Sequence, residues 1–170
     1  MLEIRKCTTK EEYEWIVEQM ENNSGIKEVF KYNIDRLKSS SIATIVAYNG
    51  LPIGFIYIAH ELSDERIGFI DMGIVSNKRG YGFGKAALDI FIYKTRNSNM
   101  FFVAETKDDN YVAKRILSNY QHIYDKDNLC FYLVNNSIEK FEEEGLYDKL
   151  VDHLNSERIS SKDLVKKLYK

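Results

Sequence analysis

The spacing of hydrophobic positions predicts that the chain opens with one strand and two helices. Residues 2–6 (LEIRK) alternate apolar and polar side chains, as a half-buried strand does. Two stretches with the spacing of amphipathic helices follow, with apolar positions at Tyr13, Ile16, Val17 and Met20, and then at Ile26, Val29, Phe30, Ile34 and Leu37. The residues Asn22-Asn23-Ser24-Gly25 separate the two helices.

β-Branched residues dominate the next part of the chain and predict three strands, at residues 41–48 (SIATIVAY), 53–59 and 67–75 (IGFIDMGIV). Asn49-Gly50 is a strong signal for a two-residue hairpin turn, and residues 62–65 form a second polar turn. Because both connections are too short for a crossover, we expect the three strands to be antiparallel.

The following part of the chain alternates between helical and strand patterns. A helix is expected after the glycine-rich residues 79–84, and residues 100–104 (MFFVA) form an apolar run typical of a buried parallel strand. Asp108-Asp109-Asn110 precedes another helix, and residues 123–134 predict a final hairpin. The positions of that second helix expected to face inward are Val112, Ala113, Ile116 and Leu117.

Residues 137–170 differ from the rest because they are highly charged and helical in pattern. We divide the chain into a domain at residues 1–136 and a C-terminal helical extension at residues 137–170, which is too short for a core of its own. The extension either packs on the domain or joins two copies in a homodimer. Its apolar positions are Phe141, Leu146, Leu150, Val151 and Leu154, followed by Leu164, Val165 and Leu168 in a final short helix.

Composition narrows the class of protein. A chain of 170 residues, with 44% hydrophobic and 29% charged residues, is the size and composition of one globular domain. The net charge of -2 argues against a nucleic-acid partner, and no run approaches the ~20 apolar residues of a membrane span. Cys7 and Cys130 lack metal-ligand spacing, so we expect no metal site and two free thiols in a cytoplasmic protein.

The chemistry of the chain is expected at Arg79-Gly80-Tyr81-Gly82-Phe83-Gly84, between a strand and a helix. Alternate glycines let the backbone turn sharply and present its N–H groups, and the helix N-terminus adds partial positive charge. Arg79 and Lys85 add full charges, so the segment predicts a phosphate or pyrophosphate site. Three other interpretations of the segment are available. A Rossmann site needs this turn after the first strand, a P-loop needs a hydroxyl where Ala86 stands, and the glycines could serve turn geometry alone.

This segment resembles the R/Q-x-x-G-x-G/A signature of the GNAT superfamily of N-acetyltransferases, in which the turn binds the pyrophosphate of acetyl-CoA. The predicted order of elements resembles that family over roughly Leu2 to Asn135. The resemblance implies an α/β fold with a central mixed, mostly antiparallel sheet flanked by helices. That sheet splays after its fourth strand and holds the pantetheine arm in the gap. By the same resemblance, backbone groups of Ile74 and Val75 pair with the arm, and Asn110 hydrogen-bonds it or positions the thioester. Asn110 equally fits a helix cap.

The resemblance also guides the choice of a catalytic acid. Many members of the family carry a Tyr seven residues after that Asn, and this Tyr protonates the departing thiolate. Leu117 stands at the corresponding position here. Tyr120, one turn further on, is the candidate we favour, with Tyr111 or water as alternatives.

A base is needed because a lysine amine, with a pKa near ~10.4, is mostly protonated at neutral pH. Asp71 is the main candidate, since an acid in the centre of an apolar strand requires a reason. His60, Glu61 and Glu65, near the strand ends, are fallbacks. Glu105, at the end of the buried strand, is a further substrate contact.

The resemblance therefore implies an N-acetyltransferase that moves the acetyl group of acetyl-CoA to a primary amine of a small molecule, peptide or protein. Direct transfer in a ternary complex is expected, because no Cys lies in the predicted cleft. A catalytically weak acyl-CoA-binding regulatory module is the alternative that Leu117 supports. A toxin-like enzyme that acetylates charged tRNA is disfavoured by the acidic net charge. The resemblance also implies an acceptor cleft at residues 20–40 and 59–66, whose mixed charges select no substrate class.

Overall fold

A computed structural model describes residues 1–22, 37, 40, 42–62, 64 and 66–156. A short 3-10 turn at Ser76–Lys78 precedes the second helix. The elements, in chain order, are β1 (Leu2–Lys6), α1 (Lys10–Asn22), β2 (Ala43–Tyr48), β3 (Leu51–Leu62), β4 (Ile67–Ile74), α2 (Phe83–Lys94), β5 (Phe101–Lys107), α3 (Tyr111–Leu117), β6 (Gln121–Lys126), β7 (Leu129–Leu133), α4 (Ile138–Glu143) and α5 (residues 146–156).

The seven strands form one sheet in the order β1-β2-β3-β4-β5-β7-β6. β4 and β5 run parallel, and every other neighbouring pair is antiparallel. The first strands form a meander, and α2 makes the crossover that a parallel pair requires. The predicted fold class, a mixed and mostly antiparallel sheet flanked by helices, is confirmed.

The hairpin between β2 and β3 turns at the predicted place. Asn49 has φ of 50° and Gly50 has φ of 79°, and two positive values are what a type I′ turn requires. β3 continues to Leu62, beyond the predicted end at residue 59, and pairs with β4 up to Leu62–Ile67. A bulge between Ile58 and His60 shifts the register of the two strands. The predicted helix at residues 26–37, apart from Leu37, and the final helix at 164–168 lie outside the described residues.

One face of the sheet, which we call the α2 face, is covered by α2 and α3. Alternate strand residues point to this face and pack against apolar side chains of the two helices. The buried residues of this core include Ile56, Ile70, Ile74 and Phe102 from the strands, Leu88 and Phe91 from α2, and Leu117 from α3.

The opposite face, which we call the α5 face, has two apolar clusters. α1 covers the first strands, where Ile16 and Met20 pack near Phe55 and Tyr57. The C-terminal helices cover the other half of the sheet. There Phe141, Leu146, Leu150 and Leu154 pack with strand residues Ile67, Phe101, Val103, Phe131 and Leu133. The described part of the predicted extension therefore packs on the domain and completes the core of this face.

α3 reaches the core only through its end. Val112 is 75% exposed, so the expectation that it faces inward is wrong. A helix of seven residues makes fewer than two turns, and here only the second turn, with the buried Leu117, contacts the sheet. Within the described ranges, the helices are too short or too polar to cross a membrane.

Candidate active site

β4 and β5 part in the middle of the sheet. Their pairing runs from Ile67–Phe101 to Ile70–Ala104 and ends there, although β4 continues to residue 74 and β5 to residue 107. We call the opening between them the wedge. Paired strands lie about 4.8 Å apart, so a gap that widens from this point can admit an extended ligand that pairs with the strand backbone.

Backbone N–H and C=O groups point alternately to the two sides of β4, and this alternation identifies the residues that face the wedge. The Arg66 carbonyl accepts a hydrogen bond from β5 at 2.7 Å, and the Val75 N–H donates to β3 at 2.8 Å. Since alternate residues direct their backbone groups to the same side of a strand, Met72 and Ile74 direct theirs into the wedge.

This geometry corrects one of the two residues expected to pair with a bound arm. The N–H of Val75 is bonded to β3, and its carbonyl accepts from Lys78 at 2.9 Å because the 3-10 turn begins there. Ile74 does face the wedge, but its carbonyl accepts from Arg79 Nε at 2.8 Å. Met72, which sequence reasoning did not name, is the other residue whose backbone faces the wedge.

A glycine turn leads from the end of β4 into α2. Gly80 has φ of 83° and Gly82 has φ of 81°, a conformation that favours glycine. The first hydrogen bond of α2 runs from the Ala86 N–H to the Gly82 carbonyl at 3.1 Å, and no described side chain caps this end. The first N–H groups of α2 therefore point outward at the positive end of its dipole, as an anion site requires.

The space in front of this turn is open. A Cβ atom added at Gly80 or Gly82 would meet no atom within 4 Å. At Gly84 the added Cβ would instead lie 3.4 Å from Ile116 Cδ1 and 3.8 Å from Met72 Cε. The turn thus sits directly beside the wedge-facing part of β4.

Charged and aromatic side chains surround the turn. A guanidinium has five N–H donors, so the bond from Arg79 to Ile74 leaves others for an anion. Lys85 Nζ lies 2.9 Å from Asp89 Oδ2, one helical turn further on. The centroid of the Phe83 ring lies 4.8 Å from that of Tyr48 and 6.0 Å from that of Tyr81, and Tyr81 is 73% exposed. The residues predicted from Arg79 to Lys85 are therefore grouped around one opening.

Asn110 begins α3 just beyond the end of β5. Its Oδ1 accepts a hydrogen bond from the Ala113 N–H at 3.2 Å, which confirms the interpretation as a helix cap. A role toward the pantetheine or the thioester stays a prediction.

Tyr120 is hydrogen-bonded to α2. Its hydroxyl donates to Asp89 Oδ1 at 2.7 Å. Burial, together with this bond to Asp89, raises the pKa of Tyr120. Burial also acts to raise the pKa of Asp89, but the hydrogen bonds from Lys85 and Tyr120 outweigh it and lower that pKa overall. A phenol in this setting is a weak proton donor.

Asp71 lies on the other side of the sheet. It alternates with Ile70 and Met72, which point to the α2 face, so its side chain lies on the α5 face. Its Oδ2 accepts a hydrogen bond from the Tyr57 hydroxyl at 2.9 Å. Tyr120 packs against the core of the α2 face. The structure therefore does not bring the two predicted catalytic residues together.

A cavity of about 70 Å³ opens beside Asp71 on the α5 face, where the wedge begins. Glu105, His60, His153 and Phe69 share its lining with Asp71. The rings of His60 and His153 stack at 5.1 Å, and Phe69 lies 5.9 Å from the first and 6.1 Å from the second. Two of the weaker sequence candidates, His60 and Glu105, are thus neighbours of Asp71.

The other two fallback bases lie elsewhere. Glu61 pairs with Gly68 of β4, and the even-numbered residues of β4, such as Ile70 and Ile74, point to the α2 face. Directly paired residues point to the same face, so the Glu61 side chain lies on the α2 face. Glu65 lies outside the described residues. In the ranges that the structure describes, no three His, Cys, Asp or Glu side chains are grouped so as to hold a metal ion.

His153 is the residue of this cavity that sequence reasoning missed. It lies on α5, in the segment treated as an extension. The available signal was its spacing, because Leu150, His153 and Leu154 share one helical face. That spacing places an imidazole on the apolar stripe that packs against the sheet.

No family model and no curated protein matches this chain. Solved structures do match. The acetyltransferase of GNAT family from Streptococcus pneumoniae is 18% identical, with a TM-score of 0.54 over 78% of this chain and 96% of that one. The GNAT domain of S. lividans PAT is 13% identical, with a TM-score of 0.62 over 76% and 87%. The ribosomal L7/L12 alpha-N-protein acetyltransferase in complex with coenzyme A is 9% identical, with a TM-score of 0.54 over 80% and 96%. At these identities the likeness is one of architecture, and the chain has the fold of the GNAT acetyltransferases.

Proposed function

We propose that this protein binds acetyl-CoA and transfers its acetyl group to a primary amine by direct transfer in a ternary complex. The observation that carries the proposal is the wedge between β4 and β5, which leads to the open glycine turn at the start of α2. Structures of the same fold are named acetyltransferases, and one of them has coenzyme A bound.

The residues at the wedge fit the two chemical parts of the cofactor. The pyrophosphate would lie at the glycine turn, against the first N–H groups of α2 and the side chains of Arg79 and Lys85. The pantetheine arm carries amide groups, which would pair with the backbone of Met72 and Ile74 as an added strand does. Tyr81 lies in the glycine turn itself and is exposed, so its ring offers a surface to a ligand bound there.

The chemistry then requires a base on the side from which the amine arrives. Acetyl-CoA supplies a thioester, whose carbonyl carbon is attacked by the amine nitrogen as the C–S bond breaks. Asp71 accepts the proton that the amine loses, directly or through a water molecule. The hydroxyl of Tyr57 donates to Asp71 and fixes the position of its carboxylate. Solvent protonates the departing thiolate, because Tyr120 is held by Asp89 and Leu117 is buried.

A second candidate function is an acyl-CoA-binding module with little or no turnover. Two observations favour it. The Tyr120 hydroxyl is hydrogen-bonded to Asp89, and the apolar Leu117 stands at the position of the family's tyrosine. This module and the enzyme share the binding site and differ only in turnover.

The test is calorimetric binding of acetyl-CoA to the wild type, Gly82→Trp and Gly145→Trp. Both glycines have positive φ, 81° and 70°, and both have open space where a Cβ would lie. Each substitution therefore carries a similar backbone strain of about 1–3 kcal/mol, but only the first places an indole in front of α2. We expect binding to weaken at least about tenfold in Gly82→Trp and to stay within about twofold in Gly145→Trp.

Thiol release with a panel of amines follows the binding experiment. Release with any amine supports the enzyme, whereas binding without release from amines or protein substrates favours the module. A wild type that does not bind acetyl-CoA would contradict both functions. Equal loss in the two tryptophan variants would mean that strain, and not the position of the turn, had been measured.

A further inference from the structure

We infer that Lys85 changes partner when the acyl donor binds, leaving the carboxylate of Asp89 for a phosphate of acetyl-CoA, and that Asp89 thereby limits how tightly the donor is held. The identity of the ligand is that of the proposed function, on which this inference rests. Two further residues, Asp89 and Tyr120, act on the phosphate site through Lys85.

Lys85, Asp89 and Tyr120 form a chain of hydrogen bonds beside the glycine turn. Lys85 Nζ donates to Asp89 Oδ2 at 2.9 Å, and the Tyr120 hydroxyl donates to Asp89 Oδ1 at 2.7 Å. Each oxygen of the carboxylate therefore accepts from a protein donor. Burial acts to raise the pKa of Asp89, but the hydrogen bonds from Lys85 and Tyr120 outweigh it, so the carboxylate is charged at neutral pH.

Lys85 is the member of this chain nearest to the proposed phosphate site. It lies in the first turn of α2, which begins at Phe83, and the N–H groups of a first turn have no partner within the helix. Helical side chains lean toward the N-terminus of their helix, so an extended Lys85 side chain reaches toward the glycine turn. The bond to Asp89, one helical turn further on, holds the ammonium back from that position.

Lys85 is also the partner that can move. Its side chain is 51% exposed, and a lysine carries its ammonium on a flexible four-carbon stem. Asp89 has a short side chain that is held by Tyr120 as well, and Tyr120 packs against the core of the α2 face. A phosphate that arrives at the turn therefore takes Lys85 alone and leaves Asp89 bonded to Tyr120.

Asp89 and the incoming phosphate compete for one ammonium. An exposed ion pair contributes little free energy in water, so the exchange of a carboxylate for a phosphate is within reach of the ligand. Asp89 lies six residues after Phe83, or about 9 Å along the helix axis. This distance is close to the Debye length at physiological ionic strength, so the carboxylate also repels a phosphate at the turn. Both effects weaken binding.

The competition acts on substrate and product alike. Coenzyme A carries the same phosphates as acetyl-CoA, so Asp89 weakens the binding of both. Weaker binding of coenzyme A favours its release after transfer, a step that limits turnover in many enzymes.

Calorimetric binding of acetyl-CoA and of coenzyme A tests the exchange in wild type, Asp89→Asn, Lys85→Gln and the double variant. Asparagine keeps an oxygen that accepts from Tyr120, so Asp89→Asn removes the charge and preserves that hydrogen bond. The control is Glu14→Gln, which breaks an ion pair of the same i,i+4 spacing with Lys10. It removes the same charge from α1, on the opposite face of the sheet.

We expect Asp89→Asn to tighten the binding of both ligands about two- to fivefold, the size of an exposed ion pair, and Glu14→Gln to change it by less than about 1.5-fold. In the Lys85→Gln background the gain from Asp89→Asn should fall below about 1.5-fold, because only the repulsion remains. The gain should also disappear at about 1 M salt, where the Debye length is about 3 Å. A damaged fold cannot produce a gain of affinity.

Dephospho-coenzyme A, which lacks the 3′-phosphate, identifies the phosphate that Lys85 reaches. If it is the 3′-phosphate, Asp89→Asn should leave the binding of this ligand unchanged. If it is the pyrophosphate, the gain should persist. Either result, with the gain for coenzyme A, supports the exchange of partners.

The outcomes separate this inference from the proposed function. A wild type that does not bind acetyl-CoA would overturn both. Binding by the wild type that is unchanged or weakened in Asp89→Asn would overturn the exchange and leave the proposed function in place. An equal gain from Asp89→Asn with and without Lys85 would mean general repulsion, and a gain in Glu14→Gln would mean an effect of net charge; either would also overturn the exchange.

Discussion

At the scale of single residues, Asp71 is the group on which transfer depends most. Asp71→Asn keeps the size of the side chain and an oxygen for the Tyr57 hydrogen bond, but removes the base. General base catalysis typically contributes 10²–10⁴-fold, so we expect kcat/KM to fall by at least about 100-fold. Thiol-release kinetics measure this loss, and calorimetry should show that acetyl-CoA binds as before.

The control is Asp64→Asn, which makes the same change of charge in the turn between β3 and β4. Asp64 has φ of 53°, a conformation that asparagine also adopts, so the turn should be kept. An Asp71→Asn variant with the activity of this control would show that another group takes the proton.

Tyr120 is expected to matter for stability rather than for transfer. Burial and the Asp89 bond raise its pKa, whereas in the unfolded chain a tyrosine ionises near about 10. Above that pH the unfolded state releases the proton first, so the stability contributed by the phenol is complete below about pH 10. It is lost as the pH rises through the folded-state pKa. Urea unfolding across this pH range should show the difference between wild type and Tyr120→Phe shrinking only above about pH 10.

The exposed Tyr93 provides a control in Tyr93→Phe, which should show no such change. In thiol release, Tyr120→Phe should stay within about twofold of wild type if water protonates the thiolate. A loss of about 100-fold would restore Tyr120 as the catalytic acid.

At the scale of elements, α4 and α5 are part of the core. Phe141 is fully buried, and it packs against Phe101 with ring centroids 5.4 Å apart. Phe141→Ala should lower the free energy of unfolding by about 3–5 kcal/mol, as in other buried cores. Urea denaturation measures this, with Glu142→Ala, exposed on the same helix, as the control. A loss below about 1 kcal/mol would mean that α4 is dispensable to the domain.

The elements that sequence predicted well are those with a strong local signal. β1, α1, β5 and the hairpin at Asn49-Gly50 follow from period and turn chemistry, which depend on neighbouring residues alone. The surface that an apolar stripe packs against cannot be predicted in this way. The spacing of Phe141, Leu150 and Leu154 marks a buried helical face, but it does not say whether the sheet or a second copy covers it.

The same distinction applies to Val112. Its spacing fits an inward position on an amphipathic helix, yet it is exposed because α3 is short and contacts the sheet only at its end. Helix length depends on where the chain turns toward β6, and periodicity alone does not record it.

At the scale of the whole molecule, the cofactor side of the site was predictable and the acceptor side was only partly so. The residues of the glycine turn are contiguous in sequence, so the site that they form can be recognised from the local sequence alone. The cavity instead combines His60, Asp71, Glu105 and His153 from four elements. Asp71 stood out as an acid in an apolar strand, but its neighbours are set by the strand order and by the packing of α5, which are non-local properties.

The outer strands of the sheet have a consequence for behaviour at high concentration. The Cys7 N–H donates a hydrogen bond to the Ala43 carbonyl at the start of β2, so the odd-numbered residues of this segment direct their backbone groups toward β2. The carbonyl of Ile4, an even-numbered residue of β1, therefore points away from β2. The Lys94 ammonium of α2 donates a hydrogen bond to that carbonyl. On β6, a bulge between His122 and Tyr124 interrupts the edge. Blocked carbonyls and bulges prevent a foreign strand from adding to a sheet, so neither edge is a ready template for fibril growth.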